Sequence, residues 1–222
     1  MAFLWMVSVM ILDFAGLSPL AIAMHVVILT GLSLIVIGDI RSRIIPDTLS
    51  MPFIVMLVII QGILFYYPTK TFLPFPEIAV FGAFIGMIFY MLQMILPATG
   101  EILKRKTFSD LATLFLSPLL FPAWMITKAF VGEERADKRF PSLAIFEDLP
   151  SWVGGGDIRL GFIIGAIVGP YDFLYVIMYG YVFGTVYFLF QLLSTGKKME
   201  TMPVAPLLFV GIIVLWCSKI FA

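Results

Sequence analysis

Five stretches of this chain, residues 18–38, 49–67, 77–97, 171–193 and 203–222, are each about 20 mainly apolar residues long. That is the length a helix needs to cross a hydrocarbon layer of roughly 30 Å. A sixth apolar segment, 158–170, is shorter and is bounded by Asp157 and by the Gly169-Pro170 pair, and it is read as a short span. Composition agrees, since 61% of the 222 residues are hydrophobic, 13% are charged and mean hydropathy is +1.07. The expected fold is all-α, a polytopic membrane protein of about six transmembrane helices forming one domain over residues 1–222. Residues 1–12 are apolar but stop at Asp13, Gly16 and Pro19, and are placed at the interface or as an extension of the first span.

Basic residues set the orientation. Arg41 and Arg43 follow the first span, Lys104 to Lys106 the third, and Lys197 and Lys198 the fifth, so these three loops are expected on the cytoplasmic side. The opposite loops carry only Lys70, and both termini come out on the far side. Between the third and the short span lies an insertion, residues 98–153. Within it Leu111 to Val131 is apolar but broken by Pro118 and Pro122. If it crossed, Arg135, Lys138 and Arg139 would lie outside against the charge rule, so an interfacial or re-entrant hairpin is expected, with a true span as the competing reading.

The charge inventory removes several function classes. Fourteen basic and fourteen acidic residues cancel, leaving no basic field for nucleic acid. One cysteine, Cys217, excludes an internal disulfide and a zinc site built on paired thiolates, and one histidine, His25, argues against a His-rich metal site. Neither a metal nor a cofactor is expected. Carboxylates at span ends remain, and each costs a few kcal/mol near the hydrocarbon. Asp39 closes the first span, one helical turn before Arg43; Asp157 opens the short one. The charge rule puts both on the cytoplasmic side, at one depth.

Two carboxylates within a few Å share a proton and titrate as a pair. One then serves as base on a water and the other as acid on a peptide carbonyl, which needs neither metal, thiol nor histidine. Gly154, Gly155 and Gly156 before Asp157 let the backbone come close to an extended peptide. Counting by fours from Asp157 reaches Gly161, Gly165 and Gly169, a face without side chains on which another helix can pack. Gly82/Gly86 and Gly180/Gly184 are similar rows, read as helix packing. The plainer readings are an ion pair of Asp39 with Arg43 and a helix cap at Asp157; it is their joint occurrence on one side that favours a dyad.

At these residues the sequence resembles the type IV prepilin peptidases and archaeal preflagellin peptidases, membrane aspartyl proteases of the GxGD class. The resemblance rests on Asp39 with Pro46 and Asp47, on Gly154-Gly155-Gly156-Asp157 followed by Arg159 and Leu160, and on Lys197-Lys198 with Met202-Pro203-Val204-Ala205-Pro206 ahead of the last helix. It implies a six-helix protease of the cytoplasmic membrane that removes a short basic leader from pilin-like or flagellin-like precursors at the cytoplasmic face. Asp39 and Asp157 carry over as the catalytic pair. Asp47 carries over as a motif residue, with Arg43 and Arg159 in supporting places.

Two departures stand out. The larger bacterial members carry a cysteine-bearing domain that methylates the new N-terminus, and nothing like it is present, so cleavage without methylation is expected. The insertion at 98–153 is longer than the family's connection, and its Glu133, Glu134, Glu147 and Asp148 are read as a solvated loop. A proton-coupled transporter subunit is the rival from another class, and a silent assembly scaffold a third. His25, Gln61, Gln93 and Gln191 are read as groups bonding helix to helix, and Tyr171-Asp172, in an outer loop, as unconnected with the site.

Overall fold

The computed structural model describes residues 16–42, 44–105, 155–195 and 203–221, together with positions 120, 123, 124, 127, 131, 132, 135, 138 and 139. Six helices carry the described chain: α1 Pro19–Ser42, α2 Asp47–Tyr66, α3 Pro76–Arg105, α4 Gly155–Val168, α5 Pro170–Thr195 and α6 Val204–Phe221. All but α4 are long and apolar enough to cross a membrane. The protein is thus all-α and multi-pass. Helices satisfy their own backbone groups, which lipid cannot do for them.

The helix starts follow local chemistry. Proline stands first in α1, α3 and α5, where its missing N–H has no intrahelical role. Ser18 caps α1 by accepting from the Ala21 N–H at 3.2 Å, and its hydroxyl meets that of Thr69 at 2.7 Å. Two ends run past the apolar stretches that announce them. α1 continues to Ser42, so Asp39 lies inside its last turn rather than beyond it, and Ser42 Oγ closes that turn by donating to the Gly38 and Ile44 carbonyls at 2.8 and 2.9 Å. α3 continues to Arg105, through residues counted in the insertion, because Glu101, Leu103, Lys104 and Arg105 are good helix formers whatever their polarity.

The short helix is the hub. α4 packs against α2, α3, α5 and α6, while α1 packs on α2 and α6. Its Ile158, Leu160, Ile163, Ile164, Ile167 and Val168 are all buried. A helix that is apolar all round belongs inside a bundle. Its 14 residues give about 21 Å, less than a bilayer core, and protein rather than lipid surrounds it. α5 shows the opposite pattern, exposing Leu174, Met178, Val182, Val186 and Phe190 as a lipid-facing stripe does.

The tightest pair is α3 with α4, which run antiparallel with their glycines in register. A Cβ on Gly82 would run into the Gly165 carbonyl oxygen, and one on Gly86 into that of Gly161. The backbones therefore touch, as small-residue rows permit in lipid. α4 ends at Gly169, whose φ of 81° is open to glycine and strained for other residues, and Pro170 begins α5 at once. Pro170 has no N–H for the Ala166 carbonyl. Gln61 on α2 supplies one instead at 3.5 Å, bonding helix to helix.

Of the stretch Leu111 to Val131, only Leu120, Ala123, Trp124, Thr127 and Val131 are described. Trp124 is buried in the main apolar core and Leu120 packs partly against it. The hairpin expected there, and residues 1–12, otherwise lie outside the described residues.

Candidate active site

One loop organises the polar end of the bundle. The link between α1 and α2 lays Pro46 against Gly38, where an added Cβ would lie 3.2 Å from Pro46 Cδ. The neighbouring Ile45 lies against Gly156, where a Cβ would lie 2.9 Å from Ile45 Cβ and 3.4 Å from its backbone N and O. Gly38 precedes Asp39 and Gly156 precedes Asp157. Two consecutive loop residues thus rest on the two glycines beside the two aspartates, which brings the end of α1 and the start of α4 to one place.

Each carboxylate also stands at a helix terminus. Asp39 is 4% exposed, and its Oδ2 accepts the Ala205 N–H at 2.9 Å. Ala205 is in the first turn of α6, whose amides have no intrahelical acceptor and favour an anion. Asp157 lies in the first turn of α4, after Gly155 and Gly156, among that helix's own unpaired amides. Both aspartates keep further interactions with the protein.

An ion pair fixes the loop from outside. Arg159 Nη1 on α4 pairs with Asp47 Oδ1 at the start of α2, and lies 3.4 Å from the hydroxyl of the fully buried Ser50. The Arg159 side chain is 12% exposed and that of Asp47 50%, so the pair spans from interior to surface. α2 begins on Pro46, whose carbonyl accepts from both Leu49 and Ser50 N–H at 3.1 Å.

Of the residues singled out by sequence, Asp39, Asp47, Gly156, Asp157 and Arg159 gather here, with Gly155 opening α4. Gly154 and Arg43 lie outside the described residues, and with Arg43 the ion pair to Asp39 that is the plainer alternative to a dyad. That Asp47 and Arg159 pair with one another is not visible in their spacing. Sequence reasoning also misses Ser50, although it lies one turn after Asp47 and so on its face. The Ala205 amide leaves no sequence signal at all.

The other polar residues are elsewhere. His25 is fully buried and bonds within its own helix, Nδ1–H donating to the Ala21 carbonyl at 2.7 Å. Its ring meets those of Trp216 and Phe72 edge-on, at 4.9 and 5.7 Å, so aromatic packing replaces the bond between helices expected for it. Asp172 pairs with Lys219 at the far end of the bundle, which separates the Tyr171-Asp172 pair from the site.

The fold and the site together define a multi-pass membrane protein with carboxylates gathered at one end of a helix bundle. The chain belongs to the type IV leader peptidase family, whose model matches residues 26–189 and so spans Asp39, Asp47, Gly156, Asp157 and Arg159. It is a membrane peptidase. Searches of curated proteins and of solved structures found no match.

Proposed function

We propose that the protein is an aspartyl endopeptidase, one domain over residues 1–222, that cuts the short basic leader from pilin-like or flagellin-like precursors at the cytoplasmic face of the cell membrane. The observation that carries this reading is the seating of Ile45 and Pro46 on Gly156 and Gly38, beside Asp157 and Asp39. In this mechanism one carboxylate takes a proton from water as its oxygen attacks the scissile carbonyl carbon. The other gives its proton to the carbonyl oxygen. The tetrahedral diol then collapses: its C–N bond breaks, the leaving amine takes up the proton held by the first carboxylate, and one diol hydroxyl returns a proton to the second, restoring the pair. Gly154, Gly155 and Gly156 admit the substrate backbone, and Arg159 and Asp47 hold the loop that closes the site. The precursor's apolar helix lies in the bilayer with its leader junction at the interface. The reaction uses no cofactor and does not methylate the new N-terminus.

The test is cleavage of a pilin-like precursor by purified protein in detergent, with Asp39→Asn and Asp157→Asn each checked for intact folding. Loss of cutting in both, insensitivity of the parent to a metal chelator, and a product whose N-terminus carries no methyl group are expected. If both variants still cut, the dyad is wrong; a parent that cuts no such precursor ends the substrate assignment.

A further inference from the structure

The last helix brings to the site a group that no side chain announces. Asp39 Oδ2 accepts the Ala205 N–H at 2.9 Å, with Asp39 4% and Ala205 2% exposed, so the bond lies out of water. Few backbone donors could take its place. Of positions 203 to 206, Pro203 and Pro206 carry no N–H, which leaves those of Val204 and Ala205. A hydrogen bond to a charged acceptor is the stronger kind, and a backbone donor cannot swing away as a side-chain donor can.

The depth of that amide is set by the contact of α6 with α5. A Cβ on Gly211 would lie 2.5 Å from the Val176 carbonyl oxygen, and one on Gly180 would lie 3.3 Å from that of Leu207. Residue 176 opposite 211 and residue 180 opposite 207 belong to one antiparallel register, one helical turn apart, with the backbones close at both points. Sliding α6 along α5 would carry a side chain into one of these close approaches. The register therefore fixes α6 lengthwise, and with it Ala205, two residues before Leu207.

We propose that Ala205 is a positioning residue for Asp39: its backbone N–H, set in depth by the glycine contacts between α5 and α6, holds the carboxyl group in the orientation that acts on the substrate. This rests on the reading of Asp39 as catalytic. Ala205 acts through Asp39, and its methyl group has no part in that action.

The experiment replaces Ala205 in the full chain by L-lactate, which exchanges the N–H for an ester oxygen and keeps the methyl group. Its counterpart is Ala205→Gly, which keeps the N–H and loses the methyl. With a pilin-like precursor in detergent, the ester is expected to lower kcat roughly tenfold, the worth of one hydrogen bond to a charged group, with KM at the parental value. Ala205→Gly is expected to keep the parental kcat. A cycle of the ester with Asp39→Ala, followed by thermal unfolding, is expected to show effects on Tm that do not add, because both changes remove the same bond. Parental kcat in the ester overturns the proposal, as does an equal loss in Ala205→Gly or an additive cycle. If the parent cuts no precursor, the protease reading fails by itself, and the cycle still decides whether the Ala205 amide and Asp39 are coupled.

Discussion

Both ends of this bundle carry an ion pair between helices, and among the described residues the two differ in what is built on them. At one end Lys219 of α6 pairs with Asp172 of α5, with side chains 36% and 24% exposed, beside an open cavity of about 370 Å³ lined by Phe72, Pro74 and Tyr171 among others. At the other, Arg159 of α4 pairs with Asp47 of α2, and behind that pair lie a loop seated on two glycines, a buried carboxylate and an amide donated to it. The pairs are alike as chemistry. They differ in what depends on their position. An ion pair near the surface contributes little by itself, and it matters where a reactive geometry hangs from it.

The comparison can be broken by substitution. The largest effect is expected at the carboxylates: Asp39→Asn and Asp157→Asn should each lower cleavage at least about a hundredfold, the lower bound for a lost acid or base, with the fold retained by circular dichroism. Next comes the loop seat. Gly156→Val adds side-chain atoms where even a Cβ would lie 2.9 Å from Ile45, so it should destabilise by about 1–3 kcal/mol and cut activity through the displaced loop, both read on the same preparation. Arg159→Ala leaves Asp47 and Ser50 without their guanidinium, and a roughly tenfold loss in kcat/KM is expected, larger than any change in Tm explains. The smallest effect belongs to the far end. Asp172→Asn should change stability by no more than about 1 kcal/mol and leave cleavage at the parental rate. Should Asp172→Asn impair cleavage as much as Arg159→Ala does, the distinction between the two ends fails.

The fold was largely legible because its signal is local. Apolar length marks a span wherever it occurs, and five expected stretches correspond to α1, α2, α3, α5 and α6 with shifts of a few residues at most ends. The larger shift, α3 running on to Arg105, arises because polarity ends a span but does not end a helix. α4 was visible as a short apolar segment. Its central place was not, since length says that a helix is too short to cross and says nothing of what surrounds it.

The candidate site divides in the same way. Asp39 and Asp157 stand out in the sequence because charge at a span end is costly, and the glycine rows stand out by counting in fours. Which groups meet is another matter. The Asp39 oxygen finds an amide 166 residues away in α6, and Arg159 finds Asp47 across 112 residues. A backbone N–H looks the same at every position in a sequence, and no periodicity links α1 to α6. The sequence by itself determined the helices, the apolar stripes and the two isolated acids, because each follows from the energy of a residue in its own short segment. The tertiary structure alone decided that one loop rests on both glycines, that the Ala205 amide of α6 reaches Asp39 and that Arg159 meets Asp47. These depend on how whole helices dock and in what register, and that is settled by packing between distant parts of the chain.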